Sequence, residues 1–308
     1  MKKIIKIILL LMLTFLSSQG KVVANEKIKI GLLVPLTGKN SDIGQSIVKS
    51  VRLAINKINN SSIEIFPKDT ESNPDIALRS AKELANLGIQ IVIGPVFNKN
   101  LIYLDELNEI TFLSLSNKND NFSKNIINGG INATSQLIAI KKFIELNEIK
   151  KTIFLTPDLN FKNEIKKAIS NSKIRILENY IYNTDPTKLT KQIEKITRYE
   201  IRKQNLKDEI VRLEKSDQNN KEQLIEKLKK RDTLGDVSFD SVIISDFDES
   251  LKSVTTSLLY TDVSPKKKYF ITLNQWFDES LLKETSSQPL YFPSANKSNY
   301  DDFSAEYF

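Results

Sequence analysis

Two hydrophobic patterns take turns along this chain. Continuous or alternating apolar runs recur at "KIKIGLLVPL" (27–36), "SIEIFPKDT" (62–70), "IQIVIGPV" (89–96), "TFLSLS" (111–116) and the short "NIIN" (125–128), and each reads as a β-strand. Between them, apolar residues fall three and four apart, the spacing of one helix face. "SIVKSVRLAINKI" (46–58) places them at 47, 48, 51, 54, 55 and 58, and "PDIALRSAKELANLG" (74–88) opens on the cap Asn73 and Pro74 and stops at Gly88. A third helix is expected near 99–109.

A second series follows. The helix "SQLIAIKKFIELN" (135–147) leads to the strand "KTIFLTP" (151–157), a helix near 161–171 and the strand "IRILENYIY" (174–182). After a long helical region come the strand "FDSVIISDF" (239–247), the helix "ESLKSVTTSLLY" (249–260) and the strand "KKYFITLNQW" (267–276). Strands that alternate with crossover helices make parallel sheets covered on both faces, so the two series predict an α/β protein of two doubly wound parallel-sheet lobes. The expected division is 25–133 for the first lobe, 134–294 for the second, and 295–308 for the start of a return to the first. Ligands in such sheets bind beyond the carboxyl ends of the strands, where the loop "PLTGKNSD" lies.

The stretch from Asp185 to Leu234 departs from this rhythm. Its apolar residues at 189, 193, 196, then 206, 210, 213, then 224, 225, 228 keep helical spacing, interrupted at Asp217 to Asn220 and ended by Gly235. It predicts a helical hairpin insertion over 186–234 in the second lobe, with a first arm of about 30 residues and about 45 Å. Its surface is largely charged, so residues 199–233 are expected to be dispensable for folding. The stretch reads either as a charged, solvated spacer or as a partner-binding projection, and in the second case Ile210 and Leu213 are the candidate anchors for a protein partner.

The N-terminus alters the compartment. Lys2, Lys3 and Lys6 precede an apolar run from Ile7 to Leu16, and Val22 and Ala24 stand where a signal peptidase needs small residues, so residues 1–24 read as a cleaved secretory signal. Setting aside Lys2, Lys3, Lys6 and Lys21 lowers the formal charge from +7 to +3. Residues 187–232 hold 14 Lys/Arg against 9 Asp/Glu, so the excess sits in the hairpin region and leaves no nucleic-acid footprint elsewhere.

The side-chain inventory narrows the chemistry. The chain has no His and no Cys, which excludes a Ser-His-Asp triad, a thiolate nucleophile, a His/Cys zinc site, a disulfide and a cysteine-borne lipid. No phosphate-binding loop of the P-loop or dinucleotide type occurs, and no cofactor is implied. Asp69 with Glu71, or Ser116 with Lys118, is what remains for hydrolysis, and such residues at strand ends are common without it. Trp276 and Phe277 read as lobe packing.

The blocks "IKIGLLVPLTGKNSDIGQSIVKSVRLAIN", "PKDTESNPDIALRSAKELANLGIQIVIGPVFN" and "TFLSLSNK" resemble the first lobe of type I periplasmic binding proteins, the leucine-binding-protein-like receptors of ABC transporters. By position the resemblance implies a ligand cleft at Thr37, Gly38, Gln45, Val96, Phe97, Asn98, Ser116 and Asn117, with donors suited to a carboxylate or other anion. On the residues alone, Thr37, Gly38 and Ser41 equally make a turn and helix cap. Asp158 in "TPDLNFKNE" and Asp246 in "SDFDES" are the second-lobe candidates, Asp246 as acceptor for an ammonium group. The Tyr-Gly pair that transporter receptors carry after the first strand of this lobe is absent.

The hairpin, with "RYEIRKQ", "LGDVSFDSVIISDFDESL" and "ITLNQWFDESLL", resembles the penicillin-binding protein activator branch of the same superfamily. That resemblance implies a non-catalytic regulator of peptidoglycan synthesis whose partner is a peptidoglycan synthase. The alternative is a substrate-binding protein for amino acids or related solutes, with an ABC permease as partner. The chain stops at "NYDDFSAEYF", where the family returns to the first lobe, implying a fragment or an incomplete first lobe.

Overall fold

The apolar run 31–34 forms the centre of β1 (Ile28–Val34), where Leu32, Leu33 and Val34 are wholly buried. In this computed structural model, residues 27–118, 123–273, 284–294 and 296–308 are described. The leader and the Trp276–Phe277 pair lie outside them. The chain divides into two compact units, one running through Gly130 and the other beginning at Ile131.

In the first unit, β2 (Ile63–Asp69), β3 (Ile91–Ile93), β4 (Thr111–Ser114) and β5 (Ile126–Asn128) join β1 in a wholly parallel sheet of order β2-β1-β3-β4-β5. Alternation along β1 sends Leu32 and Val34 toward Val48 of α1 (Ser41–Ile58), and Leu33 toward Ala81 and Leu84 of α2 (Pro74–Asn86). The sheet is therefore covered from both sides, as predicted. The Asn73 side chain caps α2 by accepting from the backbone N–H groups of Asp75 and Ile76 at 2.9 and 3.2 Å. The cover on the α1 face is thin: α1 buries only Gly44 and Val48, and Ile91, Leu113 and Ile127 of β3–β5 are exposed.

The helix expected near 99–109 is replaced by two 3₁₀ turns, Asn98–Leu101 and Leu104–Glu106. The cause is visible in the spacing. Leu101, Leu104, Leu107 and Ile110 recur every third residue and are all buried, and a period of three brings side chains onto one line in a 3₁₀ turn but not in an α-helix. The Asn125 amide clamps this segment by donating to the carbonyls of Leu104 and Leu107 at 3.1 and 3.0 Å.

The second unit repeats the plan. β6 (Thr152–Pro157), β7 (Glu178–Tyr182), β8 (Ser241–Ile244), β9 (Tyr269–Thr272) and a two-residue β10 (Leu290–Tyr291) form a parallel sheet of order β10-β9-β8-β6-β7. Counted from its own first strand, this is the same 2-1-3-4-5 order as in the first unit. Phe154, Ile243 and Ile271 face α3 (Ala133–Leu146) and α4 (Lys162–Ser172). Ile153, Leu155, Val242 and Ile244 face α5 (Pro186–Ile196), with α6 (Tyr199–Glu214) and α7 (Lys221–Lys229) beyond it, and α8 (Asp248–Tyr260). The helix α9 (Lys297–Tyr307) ends the chain.

The hairpin differs from expectation at its base. Its first arm is not one helix of about 30 residues: α5 is the ordinary crossover helix, and only α6 and α7 project as a hairpin. The break falls at Thr197–Arg198, where Arg198 takes a left-handed backbone (φ 54°). With 16 residues, α6 is about 24 Å long.

Candidate functional site

The carboxyl ends of β1, β3 and β4 lie side by side at the point where the strand order of the first sheet reverses, the usual place for a binding site in a doubly wound sheet. Thr37 and Gly38 follow β1, Val96, Phe97 and Asn98 follow β3, and Ser116 and Asn117 follow β4. The sheet thus brings these predicted residues to one end.

The loop after β1 is held by Asp69, the last residue of β2. One carboxylate oxygen accepts from the N–H groups of Leu36 (2.7 Å), Thr37 (3.4 Å) and Glu71 (2.8 Å), and the other accepts from the Thr37 hydroxyl. Burial acts to raise the pKa of this carboxyl, but the hydrogen bonds from Thr37, Glu71 and Leu36 outweigh it and hold the group below its ordinary value. The Thr37 hydroxyl proton is therefore committed to Asp69, and Asp69 is a structural tie and not half of a hydrolytic pair. Gly38 is required for its positive φ of 77°, with nothing near its missing side chain. Gly44, in the first turn of α1, is required for space: a Cβ there would stand 1.8 Å from the Pro35 carbonyl oxygen. Gln45, the next residue, is exposed.

The β3 and β4 loops interlock. The Gly94 N–H donates to the Leu113 carbonyl at 2.8 Å and the Leu115 N–H to the Pro95 carbonyl at 3.0 Å, extending the ladder past the strand ends. Gly94 has φ 106°, and a Cβ would come within 2.1 Å of the Leu33 carbonyl oxygen. Val96, Phe97 and Asn98 are half-buried and Asn117 is exposed. Ser116 is only 2 % exposed: its N–H donates to the Ser114 hydroxyl at 3.1 Å, and its own hydroxyl accepts from the Lys118 N–H at 3.2 Å. Asn100, which the sequence did not single out, is 1 % exposed, with both side-chain amide atoms unpartnered.

In the second unit, Asp246 follows β8 and is 2 % exposed. Its carboxylate accepts from the Tyr182 hydroxyl at the end of β7, from the Ser250 hydroxyl (2.6 Å) and from the Phe247 N–H (2.9 Å). The Tyr182 phenol is pushed far above its ordinary value, first by burial, then by the Asp246 charge and the hydrogen bond to it. Asp246 thus faces its own protein and not solvent, and its carboxylate already accepts from three internal donors. Asp158, exposed after β6, is paired with Lys162 one turn along. Phe161, after β6, and Phe247, after β8, pack at 5.6 Å between ring centroids.

At the base of the hairpin, Arg202 is 4 % exposed, another residue whose role the sequence did not reveal. Its guanidinium donates to the Thr233 hydroxyl (2.7 Å), to the Thr261 carbonyl at the end of α8 (3.1 Å), and at 3.4 Å to the carbonyls of Thr197, Gly235 and Asp262. The Thr233 hydroxyl donates in turn to the Asp262 carboxylate at 2.6 Å. Tyr199 packs against Tyr260 in a tilted contact with ring centroids 5.3 Å apart. Residues 199–233 therefore include three buried residues, Tyr199, Arg202 and Thr233, that join the hairpin to α8, so the piece expected to be dispensable narrows to about 204–231. Leu206 and Leu213 are buried and Ile210 half-buried, so this apolar stripe is turned inward; Val211 and Ile201 are the exposed apolar residues of α6. Among the described residues, no cluster of carboxylates is arranged to hold a metal, and no helix is long and apolar enough to cross a membrane.

Two parallel sheets of identical strand order, each ending in polar loops, define the two-lobed α/β architecture of type I binding proteins. Residues 27–196 match the family described as periplasmic binding protein, and the chain belongs to that family. No curated protein sequence matches it. Among solved structures, the chain is similar to the C-domain of LpoA from Haemophilus influenzae, a regulator of PBP1A. The match has 14% identity and a TM-score of 0.59, and covers 90% of this chain and 78% of that one. Against full-length LpoA of the same organism, the identity is 14% and the TM-score 0.60, with 91% of this chain but 46% of that one covered. A branched-chain amino-acid ABC transporter periplasmic ligand-binding protein from Burkholderia xenovorans matches at 11% identity and a TM-score of 0.56, over 91% and 71% of the two chains. At these identities the likeness is one of fold.

Proposed function

We propose that this chain is a periplasmic, non-catalytic binding protein, exported by a cleaved signal over residues 1–24, that regulates peptidoglycan synthesis by contact with a synthase, as LpoA is a regulator of PBP1A. The observation that carries this reading is Asp246. An amino-acid receptor needs an acceptor for the ligand ammonium, and the buried carboxylate after β8 is occupied by Tyr182, Ser250 and the Phe247 N–H. The hairpin, fastened to α8 through Arg202, supplies a rigid projection of the kind a protein contact uses. The absence of His and Cys from the sequence supports a non-catalytic role.

The reading as a substrate-binding protein with an ABC permease rests on the polar ends of the β1, β3 and β4 loops, where Thr37, Asn98 and Ser116 would meet a small-molecule ligand. The two readings separate in one experiment. The full chain and a variant with residues 204–231 replaced by a short Gly/Ser linker are immobilised and challenged with solubilised envelope labelled with a fluorescent penicillin. Retention of a labelled synthase by the full chain and its loss from the trimmed variant are expected. No labelled protein on the full chain would reject the proposal.

A further inference from the structure

The crossover helix α5 carries Lys188, Lys191 and Lys195 three and four residues apart, the repeat of a single helix face, and Arg198 follows just past its end with a left-handed backbone; all four are exposed. Among the described residues none is paired with a carboxylate. The nearby acids are otherwise engaged or placed: Asp185 caps α5 by accepting from the Lys188 N–H at 3.0 Å. Glu194 follows Thr190 along the flank that meets α8, where Thr190 and Ser257 share a hydrogen bond of 3.2 Å. The opposite flank of α5 borders a groove of about 450 Å³ lined by Tyr180, Tyr182, Gln192, Lys195, Ile196 and Arg198. Its far wall is β7, the edge strand of the sheet, on which burial, and after it the neighbouring Glu178, raise the pKa of Tyr180.

The geometry points to a docking site for an extended acidic peptide segment of a protein partner, laid along α5 with its carboxylates on the cationic line and one apolar side chain in the groove against Tyr180 and Ile196. The dimensions agree. From Lys188 to Lys195 is about 10 Å along α5, with Arg198 just beyond the helix end, and a few residues of extended chain span the same distance. A row of cations beside a groove of mixed lining, in which Tyr180 and Ile196 supply the apolar patch, fits a segment that combines acidic residues with one apolar residue better than a uniform polyanion, because charge steers the encounter while the apolar side chain fixes the register. The proposal rests on the reading that this protein acts by protein contact, and it locates a contact separate from the hairpin.

The test uses the full chain and a fluorescein-labelled peptide, Glu-Asp-Leu-Asp-Glu, followed by fluorescence anisotropy at low and physiological salt. Reversing Lys191→Glu and Lys195→Glu together is expected to weaken binding at least about tenfold. Reversing Lys173→Glu and Arg175→Glu, in a second groove also lined by Lys141, Glu145, Glu148 and Lys150, should change it less than about twofold. Replacing the peptide leucine by glycine should weaken binding about threefold or more in the wild type and not in Tyr180→Ala. Equal effects of the two charge reversals, or no advantage of the leucine peptide, would overturn the proposal. So would phosphatidylglycerol vesicles that displace the peptide through the same lysines, since they would assign the line to a membrane surface. Synthase capture by the full chain is read separately, so failure of the groove and failure of the functional reading give different results.

Discussion

Replacing Arg202 by alanine should loosen the hairpin and destabilise the second unit together. The side chain is 4 % exposed and makes two well-formed hydrogen bonds, 2.7 Å to Thr233 and 3.1 Å to the Thr261 carbonyl, with three more at the weak limit of 3.4 Å. Hydrogen bonds to a charged group are worth about 1.5–3 kcal/mol each, so the two good ones give about 3–6 kcal/mol. Against this stands the desolvation of a buried guanidinium, a few kcal/mol, which truncation relieves. Burial lowers the arginine pKa although Asp262, Asp236 and Tyr199 act to raise it, so the cation is held against a real desolvation cost. The net loss should be about 3 kcal/mol, and for a unit of this size that lowers the melting temperature by about 6–12 °C. Lysine, which lacks the planar fork, should recover little of it. Thermal unfolding measures the shift, and hydrogen exchange should show lost protection in α6 and α7 before the rest of the unit. A melting temperature within about 1 °C of wild type, with hairpin protection intact, would refute the argument.

Other outcomes follow from the same geometry. Gly44→Ala pushes a methyl to 1.8 Å from the Pro35 carbonyl oxygen and should cost about 2 kcal/mol or more in urea unfolding, whereas Gly38→Ala, with open space but φ 77°, should cost about 1 kcal/mol. Tyr182→Phe removes one donor from the buried Asp246 and should cost about 1–3 kcal/mol at neutral pH. Because the folded phenol is raised above its ordinary 10.0, its contribution is whole below that value and is lost as the pH rises beyond it, and Tyr182→Phe should decline less steeply in alkali. The folded Asp69 carboxyl is lowered from 3.8, so its contribution is present above that value and lost as the pH falls through the folded value; Asp69→Asn should flatten acid unfolding in that range.

The sheets were legible because their strands are written locally. Residues 31–34 and 91–93 are unbroken apolar runs of the kind a strand in a sheet covered on both faces carries, and Asn73, Pro74 and Gly88 bracket α2 with residues whose local chemistry favours those positions. The period of three at Leu101, Leu104, Leu107 and Ile110 was also on the page, and distinguishes a 3₁₀ segment from the α-helix expected there. What could not be read depends on distant partners. Thr37 and Asp69 are 32 residues apart and Tyr182 and Asp246 are 64 apart, so the sequence shows two acids near strand ends but not that each is already occupied. The break after α5 carries neither Gly nor Pro. It accompanies an Arg202 fork that reaches the Thr197 carbonyl and the end of α8 at once, a tertiary contact invisible in helical spacing.

The central claim is that this protein recognises another protein and not a free amino acid. The direct test places both candidates before one preparation of the full chain: leucine, isoleucine and a mixture of the other free amino acids by titration calorimetry and thermal shift, and an immobilised, purified bifunctional penicillin-binding protein by biolayer interferometry. A ligand at a hundred times its Kd should stabilise its receptor by about 2.7 kcal/mol, a shift easily resolved. The account predicts saturable binding to the synthase, with no heat and no thermal shift from any amino acid. Saturable heat with a matching thermal shift from an amino acid, and no binding to the synthase, would contradict it.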